Sequence, residues 1–228
     1  MDDKKEIMVF FDLEGTIIEE ELGKVNNDKI NEILSSISAL EEITGHKVNI
    51  HIVSPVFMHI MEEVVDKFDH MIIRYNRKNG KNLKEIQSAV AYPETKYIQE
   101  NYLYDKIIPM KISPTADSGE KDRQGKFDYV RNWIETMKDR TAFSIYGGNG
   151  FNDMKAMEYV KRNKGFVICP ENSYAGVKTI ADFVSEKHAA DGIKEGLNFI
   201  NAQIEKRKQK LKEENVQGDT QGDDTESR

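Results

Sequence analysis

One cysteine, Cys169, occurs in 228 residues. A single thiol excludes an internal disulfide and suits a reducing compartment, so a cytoplasmic setting is expected. The apolar neighbours Phe166, Val167 and Ile168 mark it as a buried structural thiol. Long hydrophobic runs are also missing. No stretch approaches the roughly 20 apolar residues that a membrane span requires, and the mean hydropathy is -0.65. The opening Met1-Asp2-Asp3-Lys4-Lys5-Glu6 is too polar for a secretory signal. Excess positive charge is absent: the formal net charge is -7, which argues against a nucleic-acid backbone as the main partner. No internal repeat is visible. What remains is a chain 38% hydrophobic and 32% charged, long enough for one good-sized domain or one domain plus a small insertion. Its oligomeric state is not legible.

The chain is organised around Ile7-Met8-Val9-Phe10-Phe11-Asp12-Leu13-Glu14-Gly15-Thr16. An apolar run bounded by glycine reads as a buried strand of a parallel sheet. Ligands of open α/β sheets bind at the carboxyl edge of the strands, so Asp12 and Glu14 are placed at the mouth of a site. Gly15 lets the chain turn away sharply. A carboxylate can attack a phosphoryl group and carry it as an aspartyl-phosphate, while a second carboxylic acid protonates the leaving oxygen and then activates water.

Positions 28–43 read as an amphipathic helix with Ile30, Ile33, Leu34, Ile37 and Leu40 on one face. Asn27 or Asp28 is placed to cap its start and Gly45 to end it. Lys47 to Pro55 alternates and then turns apolar, giving a second strand parallel to the first. Ser54 closes that strand, and Pro55 suits a turn or a helix start. Residues 55–68 read as a helix, 71–75 as a third strand, and 76–81 as a turn. His51 reads as a packed or edge residue. Residues 82–115 are less legible; Tyr92, Tyr97, Tyr102 and Tyr104 crowd there, and a small aromatic core is favoured over substrate contact.

From Asp117 a polar loop runs into a helix carrying Phe127, Val130, Ile134 and Met137, with Lys126 in its first turn. A cation there opposes the helix dipole, so local stability does not account for it. Residues 142–146 form a strand that delivers Gly147-Gly148-Asn149-Gly150-Phe151-Asn152-Asp153. Asp153 offers a hard oxygen ligand for Mg²⁺. A strand at 165–169, a helix at 172–180, a short strand-like segment at 181–185 and a helix from Asp191 follow.

These motifs, in this order, resemble the haloacid dehalogenase (HAD) superfamily of phosphatases. Its first motif usually reads Asp-x-Asp-Gly-Thr, and its last commonly reads Gly-Asp-Gly-x-Asn-Asp. The closing Ala181-Asp182-Phe183-Val184 and Asp191-Gly192-Ile193 are similar to the Cof-like branch. The resemblance covers about residues 6–75 and 117–200. It implies a Rossmann-like α/β fold, a mostly parallel sheet with helices on both faces. The divisions are a core of 1–78 and 117–202, a small cap at 79–116, and a charged, disordered tail at 203–228. It implies a Mg²⁺-dependent phosphatase acting on a small phosphorylated metabolite. Asp12 is the expected nucleophile, Glu14 the acid and base, and Lys126 the neutralising cation, with Lys121 as its competitor. Thr16, Ser54, Pro55 and Asn152 form the expected substrate-contacting set. Asp12, Glu14 (through its main-chain carbonyl), Asn149 and Asp153 form the expected metal set.

Two departures stand out. Glu14 is a methylene longer than the usual Asp, as in the enolase-phosphatase branch, which remains catalytic. Asn149 replaces an acid and removes a charge from the metal site. The alternative is therefore a catalytically weak or retired HAD domain that binds a phosphorylated ligand or a protein partner.

Overall fold

The structure, a computed structural model, describes residues 5–19, 26–92, 106–110 and 118–219. Seven strands form one parallel sheet: β1 (Glu6–Phe11), β2 (Lys47–Phe57), β3 (Ser88–Tyr92), β4 (Ile107–Pro109), β5 (Thr141–Gly147), β6 (Phe166–Cys169) and β7 (Phe183–Val184). The spatial order is β4-β3-β2-β1-β5-β6-β7. The chain thus builds outward from β1 in one direction, then returns to build outward in the other. The reversal lies between β1 and β5, and open parallel sheets bind ligands at such a point.

The pleat of β1 explains the two helical layers. Ile7, Val9 and Phe11 point to one face, where they pack with α1 (Asn27–Thr44), α2 (Met58–Asn79) and α6 (Ala189–Asp219). Met8 and Phe10 point to the other, against α3 (Ser118–Thr136), α4 (Met154–Arg162) and α5 (Ala175–Ile180). All five side chains are fully buried, and burial of a side chain of this size contributes about 1.5–3 kcal/mol relative to exposure. A strand covered on both faces must be apolar at successive positions, which is why the run 7–11 does not alternate.

Several expectations need correction. The cap of α1 is Asn26, whose side chain accepts from the Asp28 and Lys29 amides at 3.0 and 3.3 Å; neither Asn27 nor Asp28 serves. Pro55 lies within β2 and does not open a helix. Residues 71–75 belong to α2 and not to a strand. The reason is spacing: Met61, Val64, Val65, Phe68, Met71 and Ile72 follow one helical face, and no glycine or proline interrupts them. Segment 79–116, expected as a cap, supplies β3 and β4 to the main sheet. Tyr97, Tyr102 and Tyr104 lie outside the described residues. Beyond residue 202 the chain continues α6 as a helix as far as Asp219, exposed over residues 205–214, and the rest of the expected tail, 220–228, lies outside the described residues.

His51 is fully buried between β2 and α3. Its Nδ1 lies 3.0 Å from Ser88 Oγ and 3.1 Å from Tyr129 OH, and its ring centroid is 4.6 Å from that of Trp133. Burial pushes its pKa down to about 3, so the imidazole stays neutral. No helix of the described residues is long and apolar enough to cross a membrane.

Candidate active site

Asp12 follows β1 directly, and its amide donates to the Gly147 carbonyl at 2.9 Å. The end of β1 and the end of β5 are therefore tied together. Phe11 pairs with Ile52 in the parallel register, so Asp12 and Ser54 stand on adjacent strands; Ser54 does not close its strand as expected, because β2 runs on to Phe57. The two late motifs converge on the same edge. Lys126 Nζ lies 2.8 Å from Asp12 Oδ1 and 2.7 Å from Asp153 Oδ1. It also reaches Asn152 Oδ1 at 3.4 Å. Residues 12, 126 and 153 thus form one buried cluster, with Asp12 only 5% exposed and the other two fully covered.

Lys126, not Lys121, meets these carboxylates, and it does so from two turns inside α3 rather than from a first turn. Gly125 makes this approach feasible. A Cβ there would lie 2.2 Å from Met110 Cγ, so glycine lets α3 sit against Met110, the residue after β4.

Two carboxylates share one ammonium, and the electrostatics follow. Burial raises the Asp12 pKa, the nearby Asp153 raises it further, and Lys126 opposes both; the carboxyl is pushed up to about 7. For Lys126, burial favours the neutral amine, but Asp12 and Asp153 outweigh it, so its pKa stands above the ordinary value and it stays charged. Tyr146 is driven well above its usual range by burial and by Asp153. As a lasting phenol it donates to Asp153 Oδ1 at 2.8 Å. The Gly150 amide donates to Asp153 Oδ2 at 2.9 Å.

Asp153 is therefore occupied on both oxygens by protein donors. The Lys126 ammonium stands between Asp12 and Asp153 and is held by both carboxylates.

The other expected residues assemble around the loop after β1. Thr16 donates its hydroxyl to Asn149 Oδ1 at 3.1 Å. Gly15 has φ +65°, and a Cβ there would fall 2.3 Å from Asn149 Nδ2. Only glycine suits both the left-handed backbone and the close approach. Ser54 is fully buried and its hydroxyl has no hydrogen-bond partner. Such a group costs about 1–3 kcal/mol when unsatisfied, a cost that an anion bound at the sheet edge would relieve. Glu14 is partly exposed, in a bridge with Ile18. Pro55 is partly buried in β2 beside Ser54.

Sequence reasoning missed Tyr146 and Asn172. Tyr146 pairs with Phe10 in register, so a polar tip on an otherwise buried strand was its signal. Asn172 donates to the Gly15 carbonyl at 2.9 Å and accepts from the Ala189 amide at 3.0 Å. It holds the first loop to the start of α6, and its signal was an amide just past the carboxyl end of β6.

A divalent ion must be matched to the acceptors that remain. Among the described residues no group of three or more His, Cys, Asp or Glu is placed to hold one. Asp12 keeps its second carboxylate oxygen, and Asn149 keeps acceptor capacity on its amide oxygen. That set is too small for a closed cage. It fits Mg²⁺, which retains several waters and commonly takes one or two carboxylates plus substrate phosphate.

No protein-family model and no curated protein sequence matches the chain. Solved structures do resemble it. One is the cobalt-bound deoxy-D-mannose-octulosonate 8-phosphate phosphatase of Haemophilus influenzae, at 13% identity over 89% of this chain and 90% of that one, TM-score 0.47. Another is a Legionella pneumophila protein described as a HAD superfamily (subfamily III A) hydrolase, at 11% identity over 90% and 86%, TM-score 0.46. A Thermoplasma acidophilum protein matches at 11% identity over 88% and 99%, TM-score 0.49. These likenesses are loose and do not single out the Cof-like branch; the chemistry must be read from the residues.

Proposed function

We propose that the chain is a HAD-type phosphatase that hydrolyses small phosphomonoesters through an aspartyl-phosphate on Asp12. The observation that carries this reading is the buried Lys126 ammonium, 2.8 Å from Asp12 Oδ1 at the carboxyl edge of the central strand. A charged lysine held by a carboxylate at a sheet's switch point is suited to neutralising a phosphoryl group as it transfers.

In the first step an Asp12 carboxylate oxygen attacks phosphorus, the bond to the leaving oxygen breaks, and Glu14 gives that oxygen a proton. In the second, Glu14 takes a proton from water, which attacks phosphorus and releases inorganic phosphate and free Asp12. Ser54 donates to a phosphoryl oxygen, which satisfies its orphaned hydroxyl. Asn152 sits beside Lys126 and orients that side of the site. Thr16 and Asn149 brace the loop that presents Glu14. Asp12 and Asn149, with the Glu14 carbonyl, would hold Mg²⁺, which supplies further charge neutralisation.

A phosphate-release assay across a broad panel of phosphomonoesters, with Mg²⁺, tests the reading. The wild type should release phosphate well above background and Asp12→Asn should lose it. Equal, negligible release from both points to the second reading, which Asn149 favours: a domain that binds phosphorylated ligands without turning them over.

A further inference from the structure

The described residues expose three large aromatic side chains: Phe57 at 52%, Phe151 at 46% and Tyr174 at 54%. All three lie at the carboxyl edge of the sheet. Phe57 ends β2, Phe151 lies in the turn after β5, and Tyr174 lies in the turn after β6. Exposed apolar side chains scattered singly need no explanation, but a contiguous exposed apolar patch beside a site does.

Two of the three touch. Phe151 and Tyr174 meet edge to face, with centroids 5.6 Å apart and planes at 85°. The Arg123 guanidinium stands 4.8 Å from the Phe151 centroid, a cation–π contact. These residues are fastened to the site by the chain itself. Arg123 lies one helical turn before Lys126 in α3. Phe151 immediately precedes Asn152 and Asp153. The Tyr174 amide donates to the Asn149 carbonyl at 2.8 Å. The ledge is thus carried on the same helix and loops as Lys126, Asn149 and Asp153.

We propose that the Arg123–Phe151–Tyr174 ledge selects phosphomonoesters whose leaving group carries a planar aromatic ring. This rests on the phosphatase reading of the same site and names its substrate class. Two half-exposed rings set edge to face present the faces and edges that aromatic guests prefer, and the guanidinium adds a planar surface for stacking. Phe151 and Tyr174 act on the ring of the guest and leave the phosphoryl contacts to Ser54 and Lys126.

The test is equilibrium binding by calorimetry in the presence of Mg²⁺, on the intact chain with Asp12→Asn present throughout so that the esters are bound and not hydrolysed. The probes are inorganic phosphate, ribose 5-phosphate, phenyl phosphate and adenosine 5′-monophosphate. The chain with its ledge unaltered should bind at least one of the two aromatic esters about tenfold more tightly than ribose 5-phosphate, from stacking of the size seen in aromatic pairs. Whichever aromatic ester binds tighter shows whether the ring is an aryl group on the phosphate or a base beyond a ribose. Phe151→Ala and Tyr174→Ala should each narrow that gap about fivefold while leaving inorganic phosphate binding unchanged. Phe151→Leu, which keeps packing volume and discards the π face, should behave as Phe151→Ala. Ribose 5-phosphate binding as tightly as both aromatic esters overturns the inference and leaves the phosphatase reading intact. A gap that survives both alanine variants overturns it equally. Failure of all four probes to bind removes the phosphatase reading and the inference with it.

Discussion

At the residue scale the decisive fact is that one buried ammonium serves two buried carboxylates. Breaking a buried ion pair by removing one partner leaves an uncompensated charge and costs about 3–5 kcal/mol. Lys126→Met should therefore lower stability by about that much, read from the denaturant midpoint, and Lys126→Arg should recover part of the loss. A variant as stable as the wild type would show that Asp12 and Asp153 do not depend on this cation. Asn149 gives the opposite kind of prediction, a gain. Its amide oxygen already accepts from Thr16, and a carboxylate could accept the same bond while adding charge. Changes to metal-site support commonly alter affinity about 10–100-fold. Asn149→Asp should tighten Mg²⁺ binding within that range, measured by calorimetry on the ligand-free protein. Unchanged affinity would remove Asn149 from the metal set.

At the element scale, α6 divides into two parts. Ile193, Leu197 and Ile200 are buried against the sheet face shared with α1, whereas residues 205–214 are exposed. Arg207 stands 6.0 Å from the centroid of the Phe166 ring, and Lys208 donates to the Ile43 carbonyl. Solvated contacts of this kind each contribute within about 0.5 kcal/mol. A chain truncated after Ile204 should unfold within about 1 kcal/mol of the full one by denaturant titration; a larger loss would mean that the helical extension is part of the core. The same element shows what was legible. Polar composition reveals an absence of burial and so predicts disorder beyond residue 202, but a helix can continue without burial, as α6 does to Asp219. The extent of α2 was missed for a related reason: Met71-Ile72-Ile73 reads as a strand in isolation and as a helix only with Met61 to Phe68 in the same count. β3 and β4 were missed because strands this short carry no period. By contrast β1 and β6 were readable as apolar runs, since a strand covered on both faces must be apolar at successive positions, and β2 and β5 by apolar residues interleaved with a few polar ones. The site residues were readable where a motif closed such a strand. Lys126 was readable as a residue but not in its depth along α3. Tyr146, Asn172 and the aromatic ledge escaped, because their roles arise from tertiary proximity and no local spacing marks them.

At the scale of the whole molecule, stability depends on pH through the sealed core between β2 and α3. An unfolded imidazole takes up its proton near 6.5, and folded His51 does so only near 3. Between those values the unfolded chain binds the extra proton. The contribution is therefore complete above about pH 6.5 and is lost as pH falls, by about 1.4 kcal/mol per unit. Asp12, whose folded carboxyl is pushed up to about 7, works in the opposite sense over the same range but is common to both proteins, so the His51 contribution is read as the difference between wild type and His51→Gln: that difference in denaturation midpoint should shrink steadily from pH 7 down to pH 4. Equal slopes in the two proteins would show that the ring is not kept neutral by the fold.

The strand order also has a consequence for a chain emerging from a ribosome. β1 gains one neighbour as soon as β2 is made, but its other neighbour, β5, begins at Thr141. For the intervening stretch of synthesis the most apolar strand of the protein presents a bare hydrogen-bonding margin, the kind that invites pairing with a stranger. Asp153 arrives only after β5 does, so the cluster of Asp12, Lys126 and Asp153 cannot assemble until the strand that closes that margin has been made.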